Sequence, residues 1–138
     1  MAESELHITL VRHLFSWVRD NLFDGDAGNI YVDLPEMLRC AKPTNLICGV
    51  RPDLSARRRE NNLLVLGEAK TATDLETRHS ILQYNSYIEE CESYPGPAMI
   101  VLAVPWHARR TAHNLLLSLL REKASRKTQI HVLDNLPG

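Results

Sequence analysis

One unbroken apolar stretch, AMIVLAV at residues 98–104, constrains the fold of this chain more than any other segment. An apolar run of this length without polar alternation is typical of a strand that is buried on both faces. Such a strand needs a covering layer on each side of its sheet, and the neighbouring segments have the period of helices. The sequence therefore predicts an α/β fold with this strand in the middle of the sheet.

Hydrophobic period and chain-breaking residues predict the elements that precede this strand. Apolar residues at helical spacing predict an amphipathic helix over residues 3–22, and IYVDL predicts a short strand over residues 30–34. Residues 45–56 and 62–71 are strand candidates separated by the stretch RRREN, which predicts a β-hairpin. Pro52 cannot donate a backbone hydrogen bond, which predicts an edge or a bend beside Asp53.

Two more helices and a last strand complete the prediction. Thr73 followed by Glu76 fits a capping box, which predicts a helix over residues 74–93. The residues predicted on its buried side are Leu75, Ile81, Leu82, Ile88 and Cys91. The stretch HARRTAHNLLLSLLREKA predicts another amphipathic helix, and QIHVL predicts the last strand. The predicted order is helix, three strands, helix, strand, helix and strand, in a single domain over residues 1–138.

Length, charge and cysteine content bound the class of protein. A chain of 138 residues suits one domain, and no apolar run reaches the roughly 18 residues that span a bilayer. The stretch MAESELHITLV has acidic residues where a secretory signal has basic ones, so we expect no targeting segment and no membrane partner. Widely spaced cysteines at 40, 48 and 91 predict reduced thiols and a cytoplasmic protein. The net charge of -1 argues neither for nor against a nucleic-acid partner.

Three charged residues lie at the ends of the two hairpin strands. Asp53 follows Pro52, and the triplet Glu68-Ala69-Lys70 ends an apolar run. Residues two apart on a strand share a face of the sheet, so Glu68 and Lys70 point to one face and Ala69 to the other. The hairpin predicts that the Asp53 carboxylate lies beside that of Glu68. A solvated ion pair is the alternative interpretation of the E-x-K spacing taken alone.

Two converging carboxylates repel each other unless a positive charge lies between them. Carboxylate oxygens suit a hard divalent cation such as Mg2+. A lysine beside that cation can orient a water or neutralise charge that develops on a phosphate. Phosphodiester hydrolysis uses these parts, so Asp53, Glu68 and Lys70 are the predicted catalytic residues.

These motifs and the order of the elements resemble the PD-(D/E)xK nuclease superfamily, with Pro52-Asp53 as the first motif and Glu68-Ala69-Lys70 as the second. The resemblance covers most of the chain. It implies a restriction-endonuclease-like αβββαβ core, with a mixed central sheet flanked by helices and an additional C-terminal helix and strand. It also implies that Asp53, Glu68 and the Ala69 carbonyl bind Mg2+, for which Mn2+ substitutes, and that Lys70 acts on the water or the phosphate. The implied activity is hydrolysis of DNA.

Secondary features are similar to those of RecB-like nucleases and Holliday-junction resolvases. RecB-like members have Q-x-x-x-Y on the helix after E-x-K, here Gln83 and Tyr87, which share a helix face and join the implied catalytic site. An ordinary polar helix edge is the alternative. Gly49 matches a glycine that precedes the aspartate in that branch. Relatives also add a glutamate ligand from the first helix, for which Glu3, at the edge of the apolar stripe, is preferred to Glu5.

The substrate is expected to contact the hairpin tip, where Arg57-Arg58-Arg59 can bind phosphates, although a solvated turn is the alternative. Leu117 faces away from the predicted core, and a homodimer is a further expectation. A domain of this size has no separate module for reading sequence, so it acts on DNA structure or ends, or a protein partner recruits it. The competing interpretation is a binding or assembly module that keeps the nuclease fold without turnover.

Overall fold

A mixed β-sheet forms the centre of the protein in a computed structural model, which describes residues 4–33 and 49–133. The helices within these ranges are α1 (Glu5–Leu22), α2 (Arg78–Ser93) and α3 (Arg109–Glu122), with a short 3-10 helix at Trp106–Ala108. The strands are β1 (Ile30–Val32), β2 (Leu54–Arg58), β3 (Leu63–Ala69), β4 (Ala98–Ala103) and β5 (Thr128–Val132). The α/β class and the predicted order of the elements are confirmed.

The five described strands lie in sequence order across the sheet. Strands β1, β2 and β3 are antiparallel neighbours, whereas β4 and β5 run parallel to β3. Leu54 pairs with Gly67, and Arg58 pairs with Leu63 at the other end of the hairpin. Strand β3 is buried along its whole length. Strand β4 has the interior position that its apolar run predicts.

The two faces of the sheet have separate apolar cores, because alternate residues of each strand point to opposite faces. Helix α1 covers one face, where Leu10, Leu14 and Val18 pack against residues that include Val65 and Val101. Helices α2 and α3 cover the other face, where the buried residues include Leu66, Tyr84, Tyr87, Ile100, Leu102 and Leu116.

Helix α1 approaches β3 closely at Gly67. A Cβ added to this glycine would lie 3.0 Å from the side chain of Leu14 and 3.2 Å from Cβ of Leu54. A larger residue would therefore displace the helix or its side chains. This contact brings the N-terminal helix directly over the strand that contains Glu68.

Helix α2 begins four residues later than predicted, and the capping box of Thr73 and Glu76 is wrong. Thr77 is the N-cap, and its side chain accepts a hydrogen bond from the backbone N–H of Ser80 at 3.1 Å. Residues 71–77 form turns in which the backbone N–H of Asp74 donates to the carbonyl of Thr71. These local hydrogen bonds compete with a helix that starts at Thr73.

The predicted buried side of α2 is wrong at Leu82, whose exposed fraction is 58%. The buried face of α2 is largely polar, with Ser80, Gln83, Tyr84, Ser86 and Tyr87 on it beside Ile88 and Cys91. The physical reason lies in the sheet, because this face of β3 presents Glu68, and Lys70 follows it. Buried charges need hydrogen-bonding partners, so the helix turns its polar residues inward and leaves Leu82 in solvent.

Strand β2 begins at Leu54, later than the predicted residue 45, because the chain bends at Pro52-Asp53. Strand β2 has a neighbour on each side, so the bend, and not an edge, accommodates this proline. The backbone N–H of Asp33 donates to the carbonyl of Asp53 at 2.8 Å, which ties the end of β1 to the bend. Strand β1 itself ends at Val32, before the predicted residue 34.

Three of the predicted residues lie outside the described ranges: Glu3, Cys40 and Cys48. Cys91 is a free thiol, and burial raises its pKa to about 12. None of the helices in the described part of the chain is long and apolar enough to cross a membrane.

Candidate active site

Asp53 and Glu68 meet where β2 begins and β3 ends. The pairing of Leu54 with Gly67 puts the residue before β2 beside the last residues of β3. The backbone N–H of Ala69 donates to Oδ2 of Asp53 at 2.8 Å, and the backbone N–H of Asp53 donates to Oε1 of Glu68 at 3.3 Å. Both carboxylates are buried. The hairpin register therefore brings together two residues that lie 15 positions apart.

Lys70 lies on the same face of the sheet as Glu68, with its Nζ 3.6 Å from Oε2 of that residue. Its side chain is buried, and its Nζ donates a hydrogen bond to Oε1 of Gln83. The backbone N–H of Lys70 donates to the carbonyl of Ala103 at 3.0 Å, which continues the pairing with β4 beyond the end of β3. The lysine is thus fixed at its backbone by the sheet and at its ammonium group by α2.

Helix α2 supplies the polar partners of the two buried charges. Gln83 accepts the hydrogen bond from Lys70, and the hydroxyl of Tyr87 donates to Oε1 of Glu68 at 2.7 Å. These two residues are one helical turn apart and face the sheet. The adjacent Tyr84 is also buried, but its hydroxyl donates to the carbonyl of Leu75 at 2.8 Å. Gln83 and Tyr87 therefore belong to the site, whereas Tyr84 belongs to the core.

The surroundings of the site make it unfavourable for both carboxyl groups to be ionised at once. Burial and the neighbouring Asp53 raise the pKa of Glu68 well above its ordinary value, although Lys70 and the hydrogen bond from Tyr87 act in the opposite direction. Burial and the charge of Glu68 raise the pKa of the Tyr87 phenol, so this hydroxyl keeps its proton. One lysine is too little to neutralise both carboxylates, and such a pair is stabilised by a proton or by a cation.

His7 of α1 also reaches the site, although the sequence interpretation overlooked it. Its Nε2 lies 3.6 Å from Oδ1 of Asp53. A signal was present in the sequence, because His7 precedes Val11 and Leu14 by four and seven residues and so falls on the buried stripe of the helix. Glu5, by contrast, is exposed in the first turn. Glu3 lies outside the described residues.

The three arginines lie at the opposite end of the hairpin from the carboxylates. Arg57 and Arg58 are residues of β2, and only Arg59 is in the turn that follows. A strand rises about 3.4 Å per residue, so they lie roughly 14–20 Å along the chain from Asp53. The structure therefore does not bring them to the carboxylates.

These arginines also differ in their contacts. Arg58 donates to the carbonyl of Leu22 at 3.3 Å and to Oδ1 of Asn61 at 3.0 Å, which places it on the α1 side of the sheet. The guanidinium carbon of Arg57 lies 5.5 Å from the centre of the Tyr94 ring. Alternate strand residues point to opposite faces, so Arg57 lies on the α2 side.

The donor set of the site fits Mg2+. Oδ1 of Asp53 and Oε2 of Glu68 each lie 3.6 Å from a basic nitrogen, beyond the N–H···O hydrogen-bond distance of about 2.7–3.2 Å. Neither nitrogen therefore forms a hydrogen bond with its carboxylate oxygen. The N–H and C=O groups of one strand residue point to the same side, so the Ala69 carbonyl faces the side on which Asp53 accepts its hydrogen bond.

This site differs from a metal cage made only of side chains. In residues 4–33 and 49–133, no three His, Cys, Asp or Glu side chains are arranged so that they could hold a metal ion. Mg2+ does not require such a cage, because proteins usually bind it through one or two carboxylates together with waters and phosphates. Two carboxylates and a backbone carbonyl are therefore a sufficient protein contribution.

Comparison of the chain with protein-family models, with curated proteins and with solved structures found no match. The functional interpretation accordingly depends on the residues of the site. They are two buried carboxylates and a buried lysine at one end of a hairpin, held by the polar face of one helix and approached by a histidine from another.

Proposed function

We propose that this protein is a Mg2+-dependent nuclease of the PD-(D/E)xK type, which hydrolyses phosphodiester bonds in DNA. The convergence of Asp53, Glu68 and Lys70 at one end of the hairpin carries the proposal. All three residues are more than nine-tenths buried. Burying two carboxylates side by side destabilises a fold, and groups held in this way are typical of functional sites.

The order and pairing of the strands support the PD-(D/E)xK assignment. In the antiparallel unit β1–β2–β3, the first motif precedes β2 and the second ends β3. Strand β4 then pairs with β3 in parallel after a crossover through α2. A restriction-endonuclease-like αβββαβ core, with α3 and β5 added, has this arrangement.

Each residue of the site has a distinct proposed role. Asp53, Glu68 and the carbonyl of Ala69 would hold the Mg2+, and His7 would assist Asp53. The bound ion supplies a more acidic water and stabilises negative charge on the phosphate. Lys70 can orient the attacking water or neutralise a phosphate oxygen. Gln83 and Tyr87 are positioning residues, because they hold Lys70 and Glu68 in place.

The charge of the chain bears on how the protein reaches DNA. A net charge of -1 provides little unaided attraction to a polyanion. We therefore expect a recruiting protein partner or a second copy of the chain to contribute to binding. A homodimer would also supply two sites for the two strands of a duplex.

Cleavage of supercoiled plasmid, linear duplex and single-stranded DNA in Mg2+ or Mn2+ tests the proposal. We expect metal-dependent cutting by the wild type and a loss of at least about 100-fold in Asp53→Asn and in Lys70→Ala, because each removes a charged group from the reacting centre. Lys123→Ala is the control, since Lys123 pairs with Glu89 on the surface. Cutting that survives in both site variants would refute the assignment of these residues. No cutting in any metal at a protein concentration high enough to bind the DNA without a partner would refute the nuclease.

A second candidate function is a binding or assembly module without turnover. It is favoured by the contacts of Glu68, whose Oε1 accepts hydrogen bonds from both Tyr87 and the backbone of Asp53. A carboxylate held in this way stays ordered without a cation. Calorimetric titration with Mn2+ separates the two functions, because the nuclease requires a binding isotherm that Asp53→Asn abolishes.

A further inference from the structure

A groove on the α2 side of the sheet extends along β2 and β3 as far as Ser55 and Leu66, two residues from Asp53 and Glu68. Its volume is about 600 Å3, and its lining includes Tyr31, Ser55, Arg57, Arg59, Leu64 and Leu66. Helix α2 borders it through Glu90. The groove exists because α2 and α3 pack over β3, β4 and β5, while the same face of β1 and β2 extends past them.

Strand alternation connects the floor of this groove to Glu68. Leu64, Leu66 and Glu68 are at alternate positions of β3, so all three point to the same face. Leu64 and Leu66 are floor residues of the groove, and Glu68 is the next residue on that line. At about 3.4 Å per residue, the distance from Leu64 to Glu68 is roughly 14 Å. A ligand that lies along the groove therefore points one end at the carboxylates.

The lining of the groove combines an aromatic ring with cations at the end far from Glu68. Leu64 and Leu66 lie beneath the groove with exposed fractions of only 8% and 0%, so Tyr31 of β1 supplies its accessible aromatic surface. Arg57 and Arg59 supply two positive charges against the single carboxylate of Glu90. Arg57 is held over the ring of Tyr94, whose hydroxyl donates to Asn62 at 2.8 Å. An aromatic ring beside arginines is the chemistry that binds the bases and phosphates of single-stranded nucleic acid.

Burial of the active site favours a single strand over a duplex. The exposed fractions of Asp53, Glu68 and Lys70 are 7%, 3% and 8%. A phosphate reaches such recessed groups only if the chain that carries it can bend into the site. The phosphates of a stacked duplex follow a stiff helix, whereas a single strand is flexible.

We propose that this groove binds a single strand of nucleic acid, with its phosphates at Arg57 and Arg59, and directs it into the site of Asp53 and Glu68. This inference specifies the substrate of the proposed nuclease. Cleavage of the bound strand, but not its binding, rests on that proposed function. It also assigns different roles to neighbouring arginines. Arg57 and Arg59 contact the strand, whereas Arg58 points to the α1 side and holds the carbonyl of Leu22.

Fluorescence anisotropy of the full chain with a labelled 12-nucleotide thymidine strand, in EDTA, tests this inference apart from cleavage. We expect the single strand to bind more tightly than a duplex of the same length. Arg57→Gln and Arg59→Gln should each weaken binding about fivefold to tenfold and reduce the slope of log K against log salt by about 0.7, as expected for one lost phosphate contact. Glu90→Gln should strengthen binding, since it removes the negative charge from the wall of the groove.

Arg121→Gln is the matched control, because it removes the same charge from an exposed position on α3, on the other side of α2 from the groove. Binding that is equally weak in Arg57→Gln and Arg121→Gln, or a preference for the duplex, would overturn the inference. A groove that binds the strand in a protein without nuclease activity would support the inference and refute the proposed function. Cleavage that is independent of Arg57 and Arg59 would support the proposed function and refute the inference.

Discussion

Glu68 is the residue whose surroundings differ most from those of an ordinary glutamate. Its carboxylate is buried beside Asp53, and Oε1 accepts a hydrogen bond from the hydroxyl of Tyr87 at 2.7 Å. A hydrogen bond to the ionised form lowers the pKa of a carboxyl group, while burial and a second carboxylate raise it. Tyr87 therefore acts on the charge state of Glu68, and through that charge it would act on the affinity for the proposed Mg2+.

The first residue-scale prediction concerns Tyr87→Phe. Loss of this hydroxyl should raise the pKa of Glu68 further, so protons should compete with the metal up to a higher pH. A hydrogen bond to a charged group is worth about 1.5–3 kcal/mol, which corresponds to an upward shift of roughly one to two pH units in the midpoint of metal binding. Calorimetric titration with Mn2+ between pH 5.5 and 8.5 measures this shift.

Tyr84→Phe is the control for this experiment. It removes the same atom from the same buried helix face, but from a hydroxyl that donates to the carbonyl of Leu75. We expect Tyr84→Phe to leave the midpoint of metal binding near that of the wild type. Equal midpoints in Tyr87→Phe and the wild type would show that Tyr87 does not control the charge of Glu68.

At the scale of elements, Glu92 joins the end of α2 to the start of β5. Its carboxylate accepts hydrogen bonds from Oγ of Ser125 at 2.8 Å and from the backbone N–H groups of Arg126 at 3.1 Å and Thr128 at 3.0 Å. The hydroxyl of Thr128 also donates to it. These donors lower the pKa of Glu92 to about 2. One side chain thus accepts hydrogen bonds from several donors in the segment that leads from α3 into β5.

Glu92→Gln should destabilise the protein by about 1 kcal/mol at pH 7, since a neutral amide accepts these hydrogen bonds less strongly and solvent screens part of the effect. A lowered pKa stabilises the fold above the ordinary carboxyl range, and this contribution is lost as the pH falls from about 4.5 towards 2. The difference between wild type and variant should therefore shrink with acid. Urea unfolding at pH 7 and at pH 3 measures it.

Glu89→Gln is the matched control on the same helix. Glu89 pairs with Lys123 at 2.6 Å, but the exposed fractions of the two side chains are 57% and 34%. An exposed pair contributes little to stability, typically about 0–1 kcal/mol. A loss of stability in Glu89→Gln as large as that in Glu92→Gln would contradict a special role for Glu92.

The elements that could be predicted from sequence are those in which local pattern and tertiary packing agree. The apolar run of β4 and the amphipathic stripe of α1 each specify a single environment, and both are correct. Helix α2 was harder, because its inward face follows from the charges on β3 and not from its own apolar residues. Leu82 was therefore assigned to the wrong side, although Gln83 and Tyr87 were correctly expected to face inward.

The site was predictable to the extent that it follows from hairpin register. Asp53 and Glu68 meet because the strands that carry them are adjacent in sequence and pair without a bulge. His7 comes from an element 46 positions before Asp53, and its approach depends on the close packing of α1 on Gly67. Strand β2 extends to Arg58, so Arg57 and Arg58 lie in the strand and not in the predicted turn. Neither the approach of His7 nor the end of β2 can be predicted from a local sequence pattern.

At the scale of the whole molecule, the sheet separates two chemical environments. One end of the hairpin holds the buried carboxylates and the lysine, and the other holds the arginines, with the groove between them. The parallel strands β3 and β4 end at the carboxylate end, which is where open α/β sheets commonly bind ligands. The site therefore has the position that the topology favours for binding.

The two buried carboxylates at one end of the fold repel each other when both are ionised. This repulsion predicts how pH and Mg2+ together affect the free energy of unfolding. Because the pKa of Glu68 is raised in the folded state, the free energy of unfolding should fall as the pH rises from about 4.5 through the folded-state pKa. Mg2+ should reverse this fall where Glu68 is ionised, with a gain of about 2.7 kcal/mol at a concentration 100 times its dissociation constant. Thermal unfolding with and without Mg2+, across pH 5 to 8.5, measures both effects.

Glu68→Gln provides the decisive comparison, because it removes the charge and keeps the size of the side chain. We expect this variant to lose the decline of stability with pH and also most of the stabilisation by Mg2+. Glu60→Gln is the control for non-specific ion effects, since Glu60 is exposed in the turn at the far end of the hairpin. Stabilisation by Mg2+ that is equal in Glu68→Gln and Glu60→Gln would mean that the ion binds elsewhere. A larger loss in Glu68→Gln would instead tie the cation to the buried carboxylates, because the raised pKa of Glu68 moves the competition between proton and cation to higher pH.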